Sequence, residues 1–280
     1  MLEENKTKEY RDLFCNHLLL PEQQQDISLL ALYMAGEHDN SLEVSQHTSY
    51  IDSLAEQIKS KSASELDQFS LFRSVSNFLF EEVGFSGNTS DYYNPDNSFL
   101  HRVLQTGIGI PITLAIIYMS VSTRVGLHCY GAGLPGHFLV GLSEPNLYLD
   151  PFNGGTLLST TECRTQVLEN FGGQVKWQEE FLAPCSNREI LFRMLTNLKQ
   201  IYIDSNEYLP LILVLERLSI INPSLFTLYK ELAWCHLKIR DTSTAYEYLD
   251  KYVQSATAFG KGNDAKREAE DILESYGSTL

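Results

Sequence analysis

Between residues 134 and 152 the chain reads LPGHFLVGLSEPNLYLDPF, with one histidine, His137, and one aspartate, Asp150. If SEPN is a hairpin loop, Leu142 faces Leu147, Gly141 faces Tyr148 and Leu139 faces Asp150. Side chains alternate along a strand, so Phe138, Val140, Leu142, Leu147 and Leu149 share one apolar face. His137, Leu139, Tyr148 and Asp150 share the other, and the histidine and aspartate become diagonal neighbours, about 7–8 Å apart between backbones. A carboxylate beside an imidazole fixes the tautomer and favours the charged ring. That is the base-and-orienter half of a nucleophile–base–acid triad. The same pair can equally be a polar clasp that holds a hairpin, and spacing alone favours the clasp.

The elements that must position this pair can be read around it. GFSGNTSDYYNPDNS, 84–98, is dense in turn formers and predicts a long ordered loop. A short helix over about 98–106 follows, stopped by Gly107. Pro111 suits the first position of the next helix, where its missing N–H costs nothing. That helix, roughly 111–125, is apolar nearly all round and therefore buried, and Gly126 ends it. The period then changes from 3.6 to 2: HCYGAGL, FLVGL and LYLD predict three short strands. NGGTLLSTTECRTQVLENFGG reads as a loop and a helix. Tyr92, Asn94 and Asn97, with Tyr93 and Asp96, offer phenol and amide groups to a peptide-like ligand in a cleft beside His137. Turn chemistry, with Asn and Asp capping the following helix, is the favoured alternative. The free N–H groups at the Pro111 end of the buried helix are a candidate anion or carbonyl site.

The first ninety residues predict helices: SLLALYMAGEH, a segment over 41–60 with Ile51, Leu54, Ala55 and Ile58 in phase, and one over 64–83 capped by Ser64. The last third repeats at a period of 34. The first unit has Leu195, Leu198, Tyr202, Leu211, Leu215, Leu218 and Pro223; in the second stand Tyr229, Leu232, Ala233, His236, Ala245, Leu249 and Tyr252, Ala233 falling opposite Lys199. In the first unit Lys199 and Leu211 stand where small residues are expected. A helix over 263–276 caps the stack. Two repeats are too few for a free solenoid, so docking on the rest of the chain is expected.

The net charge of -15 and the pI of about 4.8 make nucleic acid and anionic membrane surfaces poor partners. The polar start, MLEENKTKEYRDLF, has no apolar h-region, and IPITLAIIYMSV is too short to span a bilayer; a soluble, cytoplasmic protein is expected. Cys15, Cys129, Cys163, Cys185 and Cys235 are scattered and never in a C-x-x-C, so neither a metal site nor a disulfide framework is expected. GAGLPG, 131–136, fits G-x-G-x-x-G, but a strand follows it rather than a helix, so no dinucleotide cofactor is expected, and no other cofactor motif occurs.

YYNPDNSFLHRVLQTGIGIPITLAIIYMSVSTRVGL, then GLPGHFLV, then LDPFNGG, resembles the SirB-type family: transglutaminase-like domains followed by tetratricopeptide repeats. The resemblance covers roughly residues 25–255. It implies a core in which a glycine, one residue and a cysteine start a buried helix, a histidine follows on a strand, and an aspartate precedes a proline on the next strand. His137 and Asp150, before Pro151, match the last two. Gly109-Ile110-Pro111 falls on the first, so Pro111 stands where the thiol should be. Two substitutes come into question. Thr113 is about 200° further round the helix, and Cys129 lies on the strand before His137.

The expected fold is α+β: a helical N-terminal region and a transglutaminase-like core with a small antiparallel sheet over 1–180, then tetratricopeptide-like helical repeats over 186–280. The expected function is a non-catalytic interaction or scaffold module, a pseudoenzyme that takes a protein or peptide partner through the core cleft and the repeats. The alternative is a cysteine- or threonine-dependent peptidase, deamidase or transglutaminase-type acyl transferase using His137 and Asp150 with Cys129 or Thr113.

Overall fold

Side-chain caps set where the first helices begin. The Asp26 carboxylate accepts from the backbone N–H of Ser28 at 2.8 Å and opens α2, Ile27–Gly36. Asp67 does the same for Ser70 and opens α4, Gln68–Ser76. The structure is a computed structural model and describes residues 2–61, 67–142 and 146–277. The expected Ser64 cap lies outside the described residues, and α4 runs on as one π-type turn, Asn77–Glu82, rather than as a regular helix to residue 83. By its internal packing the chain divides into two compact units, Met1–Met194 and Leu195–Leu280.

The first unit is built round one helix. With α1 at Leu2–Leu18, α3 at Val44–Lys61 and α5 at Leu100–Thr106, α6 spans Pro111–Arg124. Every residue from Pro111 to Ser122 is buried, as an all-round apolar helix requires. α6 packs against α2, α3, α4 and α5. Its Tyr118 hydroxyl donates to the Phe72 carbonyl at 2.6 Å, while the ring meets Phe72 edge-on and stacks on Phe80. Burial raises that phenol well above its ordinary pKa, so it stays a donor. Gly107, at φ 75°, ends α5 in the left-handed region that favours glycine.

α6 also packs on a four-stranded antiparallel sheet in the order β3 (Tyr130–Ala132), β4 (Leu139–Leu142), β5 (Leu147–Asp150), β6 (Thr156–Ser159). β4 and β5 pair Leu142 with Leu147 and Gly141 with Tyr148, the register read from the sequence. Most of the SEPN loop lies outside the described residues. Leu139 and Tyr148 pack with Cys163 and Val167 of α7, Thr160–Phe171. Two strand features depart from the expectation. β6 occupies TLLS, read as loop, and pairs all four of its residues with β5. Within 84–109, β1 (Ser86–Gly87) and β2 (Ile108–Gly109) form a two-residue parallel ladder.

The second unit is helical among its described residues. α8 spans Asn187–Ser205 and enters it from the first. α9 (Tyr208–Ile221), α10 (Thr227–Lys238), α11 (Thr242–Ala258) and α12 (Gly262–Gly277) follow with short connections. Ala233 of α10 and Ala245 of α11 are fully buried, and Ala233 packs with Leu249 of α11 and Ala269 of α12, where small side chains let helices approach closely. The architecture is α+β, with twelve α-helices and a small antiparallel sheet among the described residues.

Candidate functional site

Asp150 is fixed by its own turn before any histidine is considered. Its Oδ1 accepts from the backbone N–H of Phe152 at 3.0 Å and of Asn153 at 3.2 Å, and its Oδ2 accepts from Asn153 Nδ2 at 2.8 Å. This is an Asx-type turn, in which a carboxylate stands in for a backbone acceptor. Pro151 between them supplies a fixed φ and no competing donor.

His137, two residues before β4, reaches this carboxylate. Its Nε2 lies 2.8 Å from Asp150 Oδ1, with both side chains buried. The ring N–H does not point along that line, so the contact is a close polar approach rather than a linear hydrogen bond. Burial acts to raise the Asp150 carboxyl, but His137 and the Asn153 bonds outweigh it and hold the group below its ordinary pKa.

The histidine is held from behind by a residue the sequence pattern did not reveal. Arg193 of α8 donates from Nη2 to the carbonyls of Leu134 at 2.7 Å and His137 at 2.6 Å, and its guanidinium sits 5.5 Å from the Phe138 ring centroid. The turn it grips closes through the His137 N–H to the Leu134 carbonyl at 3.0 Å, with Gly136 at φ 70°. In front stands Phe152, edge-on to His137 at 6.2 Å between centroids and to Tyr92 at 5.8 Å. Gly87 makes room for it: a Cβ there would lie 2.5 Å from the Phe152 ring. Arg193, Phe152 and Asn153 were missed by sequence reasoning. Only Asn153 carried a local signal, the D-P-F-N turn.

The other predicted residues fall into two groups. Asn94 accepts from the Asp96 N–H at 2.9 Å, and Asn97, buried, donates to the Asp91 carbonyl at 2.7 Å and accepts from Asn88 at 3.0 Å. Both amides are spent on the loop. Tyr92 is part of the aromatic wall through Phe152, with its neighbour Tyr93 more exposed. Pro111 is the buried first residue of α6. Thr113 is fully buried, and its hydroxyl donates toward the Asn97 carbonyl at 2.8 Å while accepting from the Ile110 N–H at 3.1 Å, which caps the helix. Gly109 must be a glycine here, since a Cβ would lie 2.8 Å from that hydroxyl.

Cys129 precedes β3 at the end where Tyr130 pairs with Gly141, whereas His137 precedes β4 beyond the opposite end, where Ala132 pairs with Leu139. The ladder between them is about 7 Å long, with further residues on either side of it. Burial pushes the Cys129 thiol up to about 12, against a smaller opposing effect from Ser122. Among the described residues no group of three or more His, Cys, Asp or Glu side chains is placed to hold a metal ion. No helix among them is long and apolar enough to cross a membrane.

Comparison with known proteins agrees with this core. The model of the transglutaminase-like superfamily matches residues 45–196. A UPF0162 protein of Xylella fastidiosa (strain 9a5c) is 32% identical over 233 residues, covering 80% of this chain and 82% of that one. The UPF0162 protein PA3419 of Pseudomonas aeruginosa is 31% identical over 182 residues, 63% of this chain and 65% of its own length. Human F-box only protein 21 is 30% identical over 95 residues, 30% of this chain and 15% of its own. No solved structure matches. The chain belongs to the transglutaminase-like superfamily.

Proposed function

We propose that this member of the transglutaminase-like superfamily is a cytoplasmic interaction module: it binds a protein or peptide partner and carries out no acyl transfer. The helices from α8 onward form its tetratricopeptide-like part. One observation carries the reading: the head of α6 is Pro111, which has no nucleophilic atom, and the hydroxyl of Thr113, two residues on, is engaged with the Ile110 N–H and the Asn97 carbonyl. His137 and Asp150 then serve as a buried clasp that fixes β4 to the turn after β5. The high pKa of the Cys129 thiol and its place at the far end of the β3–β4 ladder support the same reading, because a protonated thiol is a weak nucleophile. For the C-terminal part, the buried alanines at the small-residue positions Ala233 and Ala245 support the repeat reading.

The intact His137–Asp150 contact favours a second reading, a peptidase, deamidase or transglutaminase-type acyl transferase with a substitute nucleophile. One assay separates the two. The full chain is incubated near pH 7 with a glutamine-containing peptide, with and without a primary amine, and ammonia release and peptide cleavage are followed beside labelling by iodoacetamide. The expected result is neither turnover nor a fast-labelling cysteine. Turnover that disappears in His137→Ala, from a variant that stays folded, overturns the proposal.

A further inference from the structure

Within Leu195–Leu280 an open groove of about 540 Å³ runs among α8, α9, α10 and α12. Its floor is apolar, from Ile203, Leu211, Leu215, Trp234 and Ile272. Leu211 and Leu215 are buried, but Ile203 is 36% exposed and Trp234 38% exposed. Two large apolar side chains thus face water in one hollow, with Tyr208 edge-on to the Trp234 ring at 5.3 Å. A hollow of this size with aromatic and aliphatic walls is of the kind that takes anchor side chains.

The rim decides which anchors. Lys230 pairs with Glu268 at 2.6 Å and Lys199 with Glu231 at 2.5 Å, so those charges offset one another. Tyr252 donates to the same Glu268 at 2.7 Å, which fixes that carboxylate in place. Asp271 then leaves the rim negative. α12, which carries it, also bears Asp264, Glu268, Glu270 and Glu274 against only Lys266 and Arg267. The field over an apolar trough edged this way attracts cations and repels anions.

We propose that this groove is a docking site for a short segment of a protein partner that presents two or three large apolar side chains flanked by Lys or Arg. The apolar groups fill the trough beside Trp234, and the basic groups lie along the Asp271 side. The proposal rests on the partner-binding reading given above and names the partner's chemistry.

The test uses the full chain and three fluorescein-labelled synthetic peptides of about twelve residues, read by anisotropy. One carries Leu and Phe anchors with flanking Arg and Lys. The second keeps the anchors but carries Glu in place of the basic residues, and the third keeps the basic residues but carries Ser in place of the anchors. Saturable binding of the first is expected, at least tenfold weaker binding of the second, and none of the third. Trp234→Ala should weaken the first peptide at least tenfold. Asp271→Lys, at an exposed position that leaves folding intact, should reverse the preference between the first two. Equal binding of the basic and acidic peptides, or binding unchanged in both variants, overturns the groove. Binding unchanged in both variants but lost in Tyr92→Ser would overturn the groove and leave a partner-binding core standing. Glutamine turnover in the assay above would overturn the non-catalytic reading and leave groove binding untouched.

Discussion

The head of α6 and the end of the β4–β5 hairpin are both buried, yet they hold polar groups in opposite ways. At α6 one threonine hydroxyl joins the Ile110 N–H at the helix start to the Asn97 carbonyl. At the hairpin they are an imidazole and a carboxylate held together at 2.8 Å and anchored further by Asn153 and Arg193. The first region begins on Pro111, whose ring carries no ionisable atom. In the second region the pair joins the residue two before β4 to the turn after β5.

The comparison breaks most readily at Asp150. Asp150→Ala should cost about 3–5 kcal/mol, since it leaves two backbone N–H groups and the Asn153 amide without their acceptor and removes the carboxylate beside the buried His137. Urea unfolding measures it, and a cost under about 1 kcal/mol would mean the hairpin does not need the pair. The same carboxyl gives a pH signature. Its folded pKa is held below the ordinary 3.8, so its contribution is present above that value and is lost as pH falls through the lower folded value. The acid limb of stability should therefore flatten in the alanine variant.

A smaller effect sharpens the other region. Thr113→Val preserves shape and removes the cap, and should cost about 1–2 kcal/mol by thermal or chemical melting. A variant with unchanged stability would show that the hydroxyl is not needed by the helix and is free for other work. The smallest effect belongs to Pro111→Ala, which should cost about 0.4–1 kcal/mol through greater freedom of the unfolded chain. A gain in stability there would mean the proline is strained in place.

The hairpin register was legible because Leu, Val and Tyr alternate on both sides of a turn-rich tetrad, and one slipped residue would turn every apolar side chain outward. The start of α6 was legible from a proline beside a glycine-rich approach, and the end of α5 from Gly107. β6 was not, because TLLS shows no alternation and runs directly into the Ser159–Glu162 capping box, a helix signal that overrides it. β1 and β2 are two residues each, too short for any period to register. In the site, His137 and Asp150 could be found from spacing. Arg193 could not, since it lies 56 residues beyond His137 and acts only through backbone carbonyls.

Phe152 carries a consequence for spectroscopy. Its ring meets His137 at 89° and Tyr92 at 70°, and Gly87 lies against it. Protons at such crossed aromatic edges feel the circulating electrons of the adjacent ring, so their magnetic resonance frequencies move with small changes of tilt. A single phenylalanine label would therefore register protonation of the imidazole on one side and displacement of the tyrosine loop on the other. The protein carries its own probe at the point where the loop before α5 meets the sheet.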